Sequence, residues 1–379
     1  MIFQNFGFNR LKVIGAAPAP AGPTFPDQSL ATWTATESAA WLAAGATLTT
    51  TNFGYASTST RIGSSYGGGV AKWNGAALAS NGKIYAPGHV RTDWAIINTN
   101  TDTIATTGSV NGDAEGARYD KITNQVFALG NGGTKINCST DAASNISGPS
   151  NRNGGAVQAF NGNLLYSIGL FSNTTLQEYN ISGNSSTSKG SIGADRATRG
   201  TLAANGKCFW GSGGGTQFTS YDPATTTITN FGSFSGDAQS TMVAHYNGYL
   251  YCLPAFGTKT VIKVDPSTNG TSTDATPAAY PTNPGAAGAC IGLDGRIYFA
   301  SPQGGVYWYD VYSQTGGAIT MDSGDTSFSG ITMGVNGDLY VVPWTGAYFH
   351  KIALTTGTGT SATQIVSQYN FGGRMCWPG

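Results

Sequence analysis

One short pattern recurs seven times along this chain and leaves few folds open to it. A small or apolar run leads into a turn, usually Asn-Gly or Asp-Gly, and an apolar, aromatic run follows and stops near Gly or Pro. The copies begin AALASNGKIYAPG at Ala76, RYDKITNQVFALG at Arg118, AVQAFNGNLLYSIG at Ala156 and TLAANGKCFWGSG at Thr201. They continue MVAHYNGYLYCLPA at Met242, ACIGLDGRIYFASP at Ala289 and ITMGVNGDLYVVPW at Ile331. The apolar residues that open the run after each turn are Ile84, Val126, Leu164, Cys208, Leu250, Ile297 and Leu339, spaced by 42, 38, 44, 42, 47 and 42 residues. The second copy departs from the rule, with Asn124-Gln125 at its turn.

A second signal follows each copy at a similar offset: an apolar strand, then a polar turn. WAIINTNTDTIATTG from Trp94, FTSYDPATTTITNFG from Phe218 and VIKVDPSTNGTSTD from Val261 are examples. Asp222, Asp265 and Asp310 recur there, where Asp initiates turns by bonding the backbone beyond it. Asn-Gly and Asp-Gly tolerate positive φ, so two-residue type I′ hairpins are expected between the first and second strands. Two hairpins per unit and a period of about 40–45 residues match one four-stranded propeller blade. The expected fold is all-β: a seven-bladed β-propeller of four-stranded antiparallel blades with an extended N-terminal arm. In repeat form, residues 74–370 resemble the kelch, quinoprotein-type and related propellers. The WD40 Gly-His and Trp-Asp pairs and a regular kelch Gly-Gly doublet are not found. The resemblance implies architecture and carries no function.

The repeats divide the chain into an arm and Pro-rich linker (1–26), a helix and strand or loop segment leading into the ring (27–73), and the propeller (74–379). AAPAPAGPTFP, from Ala16 to Pro26, reads as a stiff spacer. Residues 34–48 form the one convincing helix candidate, with Thr36 as N-cap and Glu37 in the first turn. Strands from about 49–73 or from 364–377 are expected to complete the ring, and the sequence does not choose between them. Such an arm needs a surface to lie against. Docking into a partner is expected over folding back on its own propeller, through Phe3, Phe6, Phe8, Leu11, Val13 and Ile14.

Composition narrows the function. The 19 basic and 19 acidic residues balance, and the charged fraction is 10%, against about 25% in an ordinary domain. With no basic block, nucleic-acid binding by phosphate neutralisation is not expected. No run of 18 apolar residues occurs, so no membrane insertion is expected. Arg10 and Lys12 follow the apolar start, the wrong order for a secretory signal. Cys138, Cys208, Cys252, Cys290 and Cys376 contain no CxxC and are read as buried free thiols. The six N-x-S/T sequons, Asn173 and Asn184 among them, are expected by chance in a chain so rich in Asn, Ser and Thr.

The catalytic search is mostly negative: no P-loop, GxSxG, HExxH or EF-hand loop occurs. His89, His245 and His350 are read as structural, and the acidic loops holding Asp113 with Glu115 and Asp322 with Asp325 as solvated. Trp94, Trp210, Trp308, Trp344 and Trp377 are read as inter-blade packing rather than a sugar-stacking platform, and any glycan-binding residues stay unknown. No catalytic residue, cofactor or metal is expected. The low charge, the Gly/Ser/Thr/Asn surface and the arm resemble bacteriophage decoration, fibre and tail-associated proteins. That likeness implies a non-enzymatic structural or adhesive protein of a virion. Its arm would contact other virion structural proteins, and its propeller would be displayed for decoration or for a host-surface glycan or receptor. A secreted bacterial carbohydrate-binding propeller is the alternative, and a propeller enzyme the third.

Overall fold

A computed structural model describes residues 58–354, apart from 69, 109–110, 112–113, 115, 121, 131–132, 148–156, 159–163, 169–174, 193–198, 204, 212–216, 233–238, 246, 255–258, 282–283, 293–294 and 335–337. The arm, its six apolar residues, the helix candidate, the 364–377 strand candidate, Asp113, Glu115, Cys376 and Trp377 lie outside the described residues. Within them the chain builds seven four-stranded antiparallel sheets. The first blade is β2 (Ala77–Leu78), β3 (Lys83–Ala86), β4 (Trp94–Asn98) and β5 (Thr103–Thr107). The second is β6 (Arg118–Asp120), β7 (Gln125–Ala128), β8 (Thr134–Asn137) and β9 (Ala142–Asn145). The third is β10 (Val157–Gln158), β11 (Leu164–Ile168), β12 (Thr175–Asn180) and β13 (Ser185–Ser191). The fourth is β14 (Thr201–Leu202), β15 (Cys208–Trp210), β16 (Phe218–Asp222) and β17 (Thr227–Phe231). The fifth is β18 (Gln239–Ala244), β19 (Leu250–Pro254), β20 (Val261–Asp265) and β21 (Gly270–Ala275). The sixth is β22 (Gly288–Ile291), β23 (Ile297–Ser301), β24 (Gly305–Asp310) and β25 (Thr315–Ile319). The seventh takes β26 (Phe328–Met333), β27 (Leu339–Pro343) and β28 (Phe349–Ile352) from the C-terminal side. Its fourth, outermost strand is β1 (Thr60–Ile62), paired Thr60 to Lys351, Arg61 to His350 and Ile62 to Phe349.

First strands touch in the order β2, β6, β10, β14, β18, β22, β26 and back to β2, which closes a ring. The seven apolar residues that set the repeat phase all lie at the start of second strands, as the spacing predicts. Of the two terminal segments expected to complete the ring, the N-terminal one supplies a strand.

The hairpin chemistry differs from the type I′ expectation. In the first blade, Gly82 N–H bonds Ala79 O and Ala79 N–H bonds Lys83 O, so the loop has three residues. Only its glycine has positive φ (77°), whereas a type I′ turn needs two such residues. The same bonds recur at Ala203–Lys207, His245–Tyr249 and Gly292–Arg296, with Gly206, Gly248 and Gly295 left-handed. In the first blade this is a type I turn followed by one left-handed residue. The preceding Asn acts through its side chain instead, where Oδ1 accepts from the N–H two residues on, at Lys83, Lys207 and Tyr249. In the second blade Asn124 itself takes the left-handed position (φ 52°), which explains the missing Gly.

The third-to-fourth strand turns share one geometry in six blades. Asn98, Asn137, Asn180, Asp222, Asp265 and Asp310 each accept a backbone N–H two or three residues on. Four residues after each stands a left-handed residue: Asp102, Asp141, Asn184, Thr226, Asn269 or Gln314. Some of these turns stitch neighbouring blades. Tyr85 O–H donates to Asp141 at 2.7 Å, and Lys83 pairs with the same carboxylate. Asn81 Nδ2 donates to Cys138 O, and Asn205 Nδ2 to Pro266 O. Across the last seam, Tyr340 O–H donates to Asp102 at 2.6 Å and Lys351 Nζ at 2.8 Å.

Glycines just before or within the first strands let adjacent backbones meet. A Cβ on Gly330 would lie 2.8 Å from Gly75 C, and one on Gly75 would lie 2.6 Å from Gly116 Cα. Gly330→Ala is therefore expected to cost about 3 kcal/mol, since rigid backbone must move. Gly206→Ala, left-handed but with open space around it, is expected to cost about 1 kcal/mol. Urea unfolding of the two variants measures the contrast.

Candidate functional site

The central channel is where the fold gathers groups from several blades. Gly75, Gly116, Gly200, Gly288 and Gly330 each stand at or just before a first strand. A Cβ on Gly288 would sit 3.0 Å from Gly330 Cα and 3.1 Å from Arg199 Nη1, so the collar closes tightly beside a guanidinium. Arg199 donates to Ser329 O at 2.6 Å, and Ser329 Oγ donates to Trp73 O at 2.6 Å. Arg118 donates to Ala117 O and to Gly200 O. Both arginines are buried, and burial together with the Arg199 charge disfavours the charged form of Arg118. Sequence reasoning passed over both. The signal it could have used was the glycine before several first strands, Gly75, Gly116 and Gly200, which marks the channel wall and makes a nearby Arg unusual.

The three histidines serve packing and fastening. His245 is fully buried beside the fifth-blade hairpin. Its Nε2 lies 3.0 Å from Gly295 O and its Nδ1 accepts from Asn247 N–H, so Nε2 carries the proton. Burial pushes its pKa down to about 4, against the hydrogen bonds that favour the charged form. His350, also buried, joins Ser59 Oγ (3.1 Å) to Asp325 Oδ2 (3.2 Å). These are the residue types of a hydrolytic triad. Ser59, however, accepts Asp322 N–H at 3.0 Å and is 8% exposed. Burial holds the His350 pKa down despite the neighbouring Asp325. The arrangement clips β1 onto the last blade. His89 stacks edge-on against Trp344, 4.6 Å between centroids.

Asp322 is exposed, where it accepts Arg61 N–H and pairs with its guanidinium, while Asp325 faces the buried His350. Among the described residues no group of three His, Cys, Asp or Glu gathers as a metal site. Nor is any helix there long and apolar enough to cross a membrane. Cys138, Cys208, Cys252 and Cys290 are free and buried, and burial raises the thiol pKa of Cys138 to about 12. Trp94 and Trp210 are fully buried, whereas Trp308 lies under Arg296, 3.7 Å from guanidinium to ring centroid.

No protein-family model matches this chain, and no curated protein does. Solved structures do match in fold. A streptogramin B lyase aligns with a TM-score of 0.64 at 12% identity, over 76% of this chain and 94% of the lyase. Virginiamycin B lyase from Staphylococcus aureus, as a catalytically inactive variant with quinupristin, aligns with a TM-score of 0.61 at 12% identity, over 75% and 95%. The extracellular domain of a putative hybrid two-component system from B. thetaiotaomicron aligns with a TM-score of 0.56 at 13% identity, over 76% of this chain and 40% of the other. The class is therefore the β-propeller. At these identities the likeness carries the fold alone, and the same fold hosts an enzyme and the extracellular domain of a putative two-component system.

The His245 environment predicts a pH dependence. Its ordinary value is 6.5 and its folded value about 4, so below pH 6.5 the unfolded chain takes a proton that the native state refuses. Stability should fall between pH 6.5 and 4, by about 3 kcal/mol at the lower end. The depressed His350 pKa acts in the same direction. Urea midpoints at pH 7.5, 5.5 and 4.5 measure this, and His245→Gln should flatten the slope.

Proposed function

We propose that this chain is a non-enzymatic structural or adhesive protein of a virus particle, a bacteriophage in the first instance. In this reading the N-terminal arm anchors it and the propeller is displayed. The observation that carries the reading is where the chain enters the ring. β1 is the outermost strand of the last blade, so the described chain enters the ring at the rim. An anchor that precedes β1 would be joined to the propeller at the rim and not at a first strand of the channel wall. The outer strands add support: β13 (SSTSKGS) and β21 (GTSTDA) present mostly exposed Ser and Thr. His245 and His350 are committed to packing and to the β1 clip, which leaves them poorly placed for acid–base work.

A second reading, a bacterial extracellular binding propeller, draws support from the extracellular domain among the structural neighbours. Deleting residues 1–26 separates the two. On the virion reading, the truncated chain keeps its urea midpoint but is no longer incorporated into particles. Undiminished incorporation sinks the anchoring role. Binding on a host-surface glycan array supports the adhesive half, and a blank array removes that half and leaves the structural one.

A further inference from the structure

The centre of the ring holds a buried guanidinium that the groups around it satisfy only in part. Arg118 opens the first strand of the second blade, and its Nη2 reaches Gly200 O at the fourth. Arg199, at the fourth blade, reaches Ser329 O in the seventh. In a ring of seven, links from second to fourth and from fourth to seventh run across the middle. Both guanidiniums therefore lie in the channel. Arg118 is 3% exposed. Its Nη1 and Nη2 are satisfied by carbonyls, but its Nε is buried with no hydrogen-bond partner among the described residues. The charged group acting on it there is Arg199, of the same sign.

Native proteins seldom leave a buried donor unmade, and a persistent one points to a missing ion, water or ligand. Here a neutral water would satisfy the donor and leave the charge. Carbonyl oxygens stabilise a guanidinium only in part, and two like charges in a low-dielectric interior raise each other's cost. An oxyanion answers both defects: one oxygen takes the Nε–H while its charge offsets the repulsion. The planar guanidinium fork suits carboxylate, sulfate or phosphate oxygens. Two buried hydroxyls without hydrogen-bond partners among the described residues, Thr201 Oγ1 and Thr332 Oγ1, stand on the first strands of the blades that receive the guanidiniums.

We propose that the central channel binds one small oxyanion between Arg118 and Arg199. The close approach of Gly288, Gly330, Gly75 and Gly116 limits it to a small group, either a free ion or a single carboxylate, sulfate or phosphate of a larger ligand. The inference is independent of the virion reading, since it rests on the channel and not on the arm.

Isothermal titration calorimetry of the full chain with sodium sulfate, phosphate and acetate, at constant ionic strength, tests it. The expected result is saturable binding of at least one anion at one site per chain, weakened about tenfold or more in Arg118→Gln. Arg118→Lys keeps the charge and loses Nε–H and the fork, so intermediate weakening is expected. Sulfate or phosphate binding without acetate assigns a tetrahedral anion, and acetate binding alone assigns a carboxylate. No saturable binding of any anion, or equal binding in a folded Arg118→Gln, overturns the proposal. Should both variants fail to fold, selenate soaked into crystals of the unaltered chain decides. A single anomalous peak within hydrogen-bond distance of Arg118 Nε upholds it, and no peak there overturns it.

Discussion

The ring depends on backbones meeting at its centre with no side chain between them. Gly288 meets Gly330, Gly330 meets Gly75, and Gly75 meets Gly116, at distances where a Cβ would collide with main chain. A side chain cannot rotate out of the way of a neighbouring backbone, so this is a stricter condition than ordinary core packing. Close approach at the first strands sets the wedge shape of each blade. Farther out the sheets diverge and leave room for large residues, which is where Trp73, Trp94, Trp210, Tyr85, Tyr221 and Tyr298 are fully buried. Burying such side chains is worth roughly 1.5–3 kcal/mol each, so the inter-blade layers supply most of the stability and the glycines make those layers possible.

Closing the ring is a separate problem, because the last seam joins residues from opposite ends of the described chain. The Ser59–His350 bond spans 291 residues. Closing so long a loop costs entropy before any contact forms. The seam is correspondingly well fastened. Lys72 Nζ donates to Gly346 O at 2.7 Å and to Thr345 O, Tyr340 O–H bonds both Thr99 O and Asp102, and Lys351 pairs with Asp102 and Asp338. Tyr66, Trp73 and Phe349 pack edge-on and tilted within 5.6 Å of one another. The Ser59–His350–Asp325 chain belongs with these fasteners. Its residue types suggest chemistry, but its burial and the bond from Asp322 N–H assign it to closure.

The fold was legible because a period of about 42 residues and turn residues at fixed offsets are local signals, independent of what packs on what. Ile84 through Leu339 fell on second strands for that reason. The hairpin type was misread because Asn-Gly satisfies two turn geometries. The choice rests on whether Asn81 takes positive φ or bonds Lys83 N–H, and dipeptide chemistry alone does not decide it. β1 was harder still. Thr60–Ile62 is three residues, and its partner Lys351 lies far away in sequence. Arg118 and Arg199 look like ordinary surface arginines until the ring brings the second, fourth and seventh blades to one axis. The local mark is a glycine beside each, Gly116 and Gly200, and it reads as channel wall only once the ring is assembled.

The way this protein uses its ionisable groups bears on what its surface can do. Asp222, Asp265 and Asp310 cap turns, Asp102 and Asp141 hold neighbouring blades, and Asp322 and Asp325 hold β1. With 19 acidic residues in the chain, so many used as fasteners leave few for a charged coat. The outer strands are consequently Ser- and Thr-rich, as in β5, β13, β17 and β21. Natural sheets protect such outer edges with charge, proline or bulges. Here the pairings of β12 with β13 and of β20 with β21 contain register shifts, while Lys189, paired with Glu178, is the one basic residue on β13. A neutral, hydroxyl-rich rim with little electrostatic repulsion favours fixed neighbours over free diffusion. On the virion reading proposed above, such a rim suits a propeller held among fixed neighbours, while the two buried guanidiniums sit apart from it at the first strands.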